Sequence, residues 1–217
     1  MELRSLEASI GYNFKDKSLL ETAITHSSFD GNNNYENLEF LGDSILGFVV
    51  AKYLFKNFDV KEGDLSKTRA KIVNAKELCK VANSLNLSQF VRLGNAYKNM
   101  QISYNILADM VEAIIAGIYI DDGMETAEKF ILDKIIISYE NITNIVKANM
   151  DYKTIYQEKC QVGGSVNIEY VVISATGKSN DMTFTIELRV NGEKVSEGTG
   201  KSKREAEQMA AKLALNM

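Results

Sequence analysis

Apolar positions recur at helical spacing through the first 140 or so residues. "DKSLLETAIT" reads as a helix with Asp16 as its cap. "HSSFDGNNNY" is a polar, Asn-rich loop, and a long helix is expected from about Glu36 to Phe55. "EGDLSKTRAKIVNAKELCKVANSL" reads as one further long helical stretch, with Ser66 or Asp64 as the cap. After the loop-like "RLGNAYKNMQ", "SYNILADMVEAIIAGIYIDDG" forms a strongly apolar helix ended by Gly123. "METAEKFILDKIIISYE" is a last amphipathic helix. Periodicity fades at "NITNIVKANM", which places a linker near residues 145–151.

The texture then changes. "DYKTIYQEKCQ" is a short helix. "VNIEYVVISAT", "MTFTIELRV" and "EKVSEGTG" are β-branched runs separated by turn residues, and Asn191-Gly192 is a strong hairpin signal. "SKREAEQMAAKLALNM" closes the chain as a helix. The expected fold is an all-α N-terminal domain, residues 1–147, followed by a small α+β domain of order α-β-β-β-α, residues 148–217.

Composition narrows the classes. No apolar run approaches the roughly 18 residues of a membrane-spanning helix, and the N-terminus lacks a basic flank followed by an apolar core, so neither a membrane nor a secretory signal is expected. A cytoplasmic protein is the expectation. Cys79 and Cys160 are far apart and read as reduced thiols. His26 is the one histidine, which excludes a multi-histidine metal site; it reads as structural. The formal net charge of −4 lies wholly in residues 1–150, while residues 151–217 balance. Bulk charge therefore argues mildly against a nucleic-acid partner, and such a partner requires local clustering of cations.

The acids are distributed unusually. Within "YENLEFLGDS", Glu36, Glu39 and Asp43 share an arc of roughly 60° on a helix advancing 100° per residue. By the same measure Leu38, Leu41, Ile45 and Phe48 lie on the opposite side, toward the core. A second pair, Asp109 and Glu112, is spaced i, i+3 on the apolar helix "ILADMVEAI", with no Lys or Arg between Asn99 and Glu128. A buried carboxylate without a cation tends to neutralise, to pair or to bind metal. Hard divalent cations prefer carboxylate oxygen and water, so Mg²⁺ or Mn²⁺ is the natural occupant.

These residues carry a family resemblance. "ENLEFLGDS" with "ILADMVEAIIAG", together with "THSS" and "EGDLSKTRAKIV", resembles the signature of ribonuclease III, the bacterial double-stranded-RNA endonuclease. The tail resembles the double-stranded-RNA-binding domain that follows in that family, through "DYKTIYQEKCQ" and "EGTGKSKREAEQMAAKLAL". The resemblance implies metal ligands at Glu39, Asp43, Asp109 and Glu112, with Asp43 and Glu112 catalytic, and auxiliary acids of the catalytic valley at Glu36 and Glu62. It implies a homodimer in which Phe40 plugs a socket on the partner, whereas the residues alone would assign Phe40 to the core. It also implies Mg²⁺-dependent cleavage to 5′-phosphate and 3′-hydroxyl ends with a two-nucleotide 3′ overhang, and processing of ribosomal RNA precursors. Two departures stand out. The usual Asn-Glu-Arg start is here Tyr35-Glu36-Asn37, and the histidine expected in the first hairpin loop of the tail is Asn180.

The tail answers the charge objection. Lys201, Lys203 and Arg204 stand at the start of the last helix, where free backbone N–H groups already favour anions. Gln157 and Glu158 on the first helix of the tail, with Asn180, are the remaining expected RNA contacts. A non-catalytic RNA-binding protein would have lost one or more of the four acids, and a hydrolase of small phosphate esters leaves the tail unexplained.

Overall fold

The computed structural model describes residues 3–95, 101–137, 142–162, 165–178 and 181–216. The chain divides into two compact units, Met1–Asn149 and Met150–Met217.

The first unit is helical: α1 (Leu3–Ile10), α2 (Lys17–Ala23), α3 (Glu36–Asn57), α4 (Glu62–Ile72), α5 (Ala75–Ser84), α6 (Tyr104–Asp122), α7 (Met124–Ile131) and α8 (Ile142–Asn149). Helix α6 runs through its centre, because the apolar run of "ILADMVEAIIAG" is buried on nearly every side: Met110, Ile114, Ile115, Ala116 and Ile118 are fully covered. Helices α3 and α5 pack against it. Asp16 caps α2 by accepting from the Ser18 N–H. Asp121, near the end of α6, holds the α1–α2 turn by accepting from the Tyr12 hydroxyl at 2.6 Å and from the Lys15 and Asp16 N–H groups at 2.8 Å each. Gly123, at φ 86°, lets the chain turn directly from α6 into α7.

Three expectations are corrected. The stretch from residue 62 to 85 is two helices, broken at Asn74, whose backbone is extended and whose side chain accepts from the Glu77 N–H to start α5. Neither Ser66 nor Asp64 caps α4; the cap position is Lys61, and Asp64 is buried within the first turn. The expected linker is largely helix: Ile142 and Val146 of α8 are buried in the core of the first unit, so hydrophobic anchoring holds a segment whose own periodicity is weak.

The second unit has α9 (Tyr152–Gln161), β1 (Ile168–Thr176), β2 (Thr183–Val190), β3 (Glu193–Gly200) and α10 (Lys203–Leu215), with the strands antiparallel in the order β1-β2-β3. Asn191 and Gly192 take φ 52° and 85°, the two left-handed positions of a tight hairpin turn between β2 and β3. Tyr156, Leu188, Ala210, Ala211 and Ala214 form its core. Helix α10 lies so close on β3 that a Cβ at Gly198 would meet the Ala210 nitrogen at 2.2 Å. Small alanines on one side and glycine on the other permit that approach.

Candidate active site

Helices α3 and α6 meet at Gly42. A Cβ placed there would come within 1.8 Å of the Glu112 carbonyl oxygen, so only glycine permits the contact. Glu39 precedes Gly42 by three residues and Asp43 follows it directly, while Asp109 and Glu112 face them from α6 at i, i+3. Carboxylate oxygens of Glu39, Asp109 and Glu112 all lie within 4.8 Å of one another.

Like charges this close raise each other's cost. Burial pushes the Glu112 carboxyl up to about 8, and the charges of Asp43, Asp109 and Glu39 add to it. Glu39 is raised by burial and then by Asp109, Glu36 and Asp43. Burial raises Asp109 as well, and the Tyr35 hydroxyl and His26 partly offset that. Asp43 and Glu36 are exposed and act on the triad through their charge rather than as members of it. Glu62 stands apart on the first turn of α4, where it accepts from the Ser66 hydroxyl at 2.6 Å.

The core face of α3 differs from the expected one. Leu38, Gly42, Ile45, Leu46, Val49 and Val50 are buried, a face centred near 240° when Glu36 is set at 0°. The acids therefore flank the core rather than oppose it, which is why Glu39 is half-buried. Phe48, expected inside, is 56 % exposed, and Phe40, which the residues alone assign to the core, is 78 % exposed. The line of closest approach to α6, set by Gly42, decides which side of this nearly all-round apolar helix goes inward.

Two residues beside the acids lie outside the sequence expectations. Gly42 is legible only as one letter of a motif until its partner backbone is known. Tyr35 is buried, with its hydroxyl 3.4 Å from Asp109 Oδ2; burial and the surrounding acids hold its phenol well above the usual range. His26 accepts at Nδ1 from the Ser28 N–H and contacts the Ser28 hydroxyl, and its ring sits edge-on to Tyr35.

The donor set fits a hard divalent cation. It is three carboxylates, with no described Lys or Arg paired to any of them and no sulfur or imidazole among them.

In the second unit Gln157 and Glu158 are exposed on α9, and Lys201, Lys203 and Arg204 are exposed at the start of α10. Lys201 is not free: its Nζ lies 2.5 Å from Asp181 Oδ1. The Ser202 hydroxyl caps α10 on the Glu205 N–H, and the Glu205 carboxylate returns to accept from the Lys201 N–H at 2.7 Å. Asn180 lies outside the described residues.

Comparison with known proteins agrees with this arrangement. Residues 16–139 match the family model described as Ribonuclease-III-like, and residues 152–217 match the double-stranded RNA binding motif. The chain is 42 % identical over 216 residues to Ribonuclease 3 of Campylobacter jejuni, covering 98 % of this chain and 96 % of that one. It is 39 % identical over 218 residues to Ribonuclease 3 of Hahella chejuensis, covering 99 % and 96 %. A solved nuclease domain of Campylobacter jejuni ribonuclease III, described for flexibility in a region involved in dimer formation, superposes with a TM-score of 0.62 at 45 % identity, covering 64 % of this chain and 99 % of that one. No described helix is long and apolar enough to cross a membrane. A helical nuclease unit with an acid cluster, joined to an α-β-β-β-α unit that matches an RNA-binding motif, places this chain in the ribonuclease III family as an endoribonuclease.

Proposed function

We propose that Glu39, Asp43, Asp109 and Glu112 hold Mg²⁺, with Mn²⁺ as a substitute, and that the chain uses it to hydrolyse phosphodiester bonds of double-stranded RNA. Three carboxylates gathered within 4.8 Å and unpaired with Lys or Arg among the described residues carry this reading. A divalent cation held there would supply Lewis acidity toward the scissile phosphate and would lower the pKa of a bound water. Glu39, Asp109 and Glu112 are the acids gathered together, and Asp43, exposed beside them on α3, would complete the donor set. Glu36 and Glu62 are auxiliary acids. Glu62 lies outside the three-acid cluster of its own chain.

The products are 5′-phosphate and 3′-hydroxyl ends with two-nucleotide 3′ overhangs, and the substrates include ribosomal RNA precursors in the cytoplasm. The chain acts as a homodimer joined through the exposed Phe40, with one site for each strand of the duplex. The dimer region described for the Campylobacter jejuni nuclease domain supports that reading. Gln157, Glu158, Asn180, Lys201, Lys203 and Arg204 hold the RNA by its shape and its phosphates.

Incubation of long duplex RNA with and without Mg²⁺ tests the reaction. Cleavage is expected only with the ion. Glu112→Gln and Asp43→Asn are each expected to abolish cleavage while leaving RNA affinity intact. Near wild-type cutting by either variant removes that residue from the site.

A further inference from the structure

We infer that Tyr35 is a positioning residue for the cation: its hydroxyl donates to Asp109 Oδ2 and orients that carboxylate within the triad. This rests on the metal reading above. Among the described residues, the hydroxyl's one hydrogen bond is to Asp109. Residue 35 is held by its backbone, whose N–H donates to the Thr25 carbonyl at 2.9 Å and whose carbonyl accepts from the Glu39 N–H at 2.8 Å. Its ring is 3 % exposed and rests edge-on against His26 at 5.7 Å between centroids. Phenylalanine would fill the same space. The hydroxyl alone reaches the acids, and it reaches one of the three that lie together.

The contact suits an outer support better than a structural bond. At 3.4 Å it is long for an O–H···O hydrogen bond, so it adds little to the fold as it stands. A carboxylate that ligates a cation gains from a hydrogen-bond donor, because the donor fixes its rotation.

The test uses the full chain and its Tyr35→Phe variant, titrated with Mg²⁺ by calorimetry. Loss of an outer partner typically weakens metal binding 10- to 100-fold, and a bond this long sets the expectation at about tenfold. The chain has no tryptophan, so its near-ultraviolet absorbance is dominated by tyrosine. Mg²⁺ is expected to give a tyrosine difference spectrum in the wild type that Tyr35→Phe abolishes, and the fall in Mg²⁺ affinity is the readout that packing alone would not move. Equal Mg²⁺ affinity in the two proteins overturns the inference. So does a wild type that binds Mg²⁺ with no tyrosine signal, even if the variant fails to fold. A wild type that binds neither Mg²⁺ nor Mn²⁺ overturns the metal reading itself, and the role of Tyr35 with it.

Discussion

Gly42 on α3 lies against the backbone carbonyl of Glu112 on α6, with room for a hydrogen and not for a methyl group. That one contact sets the depth at which the two helices pack. It also sets the distance between Glu39 and the pair Asp109 and Glu112.

Gly42→Ala should therefore damage both stability and site. Helix propensity alone favours alanine by about 1 kcal/mol. The added Cβ, 1.8 Å from an oxygen, must push the helices apart by well over an ångström. Overpacking of that kind costs about 1–3 kcal/mol, at its upper end against rigid backbone, so the clash wins. Denaturant unfolding is expected to show a net loss of about 2 kcal/mol by the same reckoning, and Mg²⁺ affinity is expected to fall with it. An alanine variant as stable as the wild type would mean that the helices separate freely and that Gly42 does not set their spacing.

The acids of α3 and α6 were legible as two clusters because each breaks an apolar helix without a neighbouring cation. Their meeting was not legible. Spacing along one helix says nothing of which face meets another, and α3 is apolar on most of its circumference. The inward side was decided by a glycine, which carries no hydrophobic signal at all. For the same reason Phe48 read as core and is exposed. In the second unit the elements were legible almost to the residue, since strand alternation and Asn191-Gly192 are local signals. The break at Asn74 and helix α8 were missed: the first is a single capping side chain inside a continuous pattern, the second a short segment whose Ile142 and Val146 are stabilised by tertiary burial.

Glu112 gives the site a pH dependence. Its folded-state pKa, about 8, stands above the ordinary 4.5, so the folded chain favours the protonated acid. Without metal, its contribution to stability is full below the ordinary value, declines as pH rises and is gone above about 8. Metal binding runs the other way. Below that pH the ion must displace a proton, so Mg²⁺ affinity should climb with pH and level off once Glu112 ionises. Calorimetry in buffers of different ionisation heat should detect proton release on the acid side of the rise. In Glu112→Gln the decline in metal-free stability assigned to this group should vanish. Mg²⁺ affinity that is flat across the range would show that Glu112 is not the group that titrates.

Phe40, Phe48 and Phe55 are 78 %, 56 % and 79 % exposed on α3. At 100° per residue they fall within an arc of about 80°. Three phenylalanines in one exposed stripe are a marked hydrophobic liability for an isolated chain and an anchor for a second copy. Phe40→Ala should weaken self-association by at least about 2 kcal/mol, the loss expected of a central aromatic anchor. Sedimentation equilibrium of wild type and variant measures it. A wild type that is monomeric at micromolar concentration would remove the dimer from the proposed function.

Salt dependence should separate the three cations at α10. Lys203 and Arg204 are exposed and make no ion pair with a described residue, whereas Lys201 is already held by Asp181. An exposed pair of this kind is worth about 1 kcal/mol or less, so it does not lock Lys201 away, but it competes with phosphate. Each phosphate neutralised contributes roughly 0.9 to the slope of log affinity against log salt. The double variant Lys203→Ala, Arg204→Ala should therefore flatten the slope for duplex RNA by roughly two units. Lys201→Ala alone should flatten it by less than one. Asp181→Asn frees Lys201 and should steepen the slope and tighten binding at low salt. The measurement is duplex-RNA affinity against salt in Ca²⁺, chosen on the expectation that it supports binding without cleavage. An unchanged slope in the double variant would place the phosphate contacts elsewhere on the second unit. Weaker binding by Asp181→Asn would mean that the pair with Lys201 holds the β1–β2 loop in place for RNA rather than competing with it.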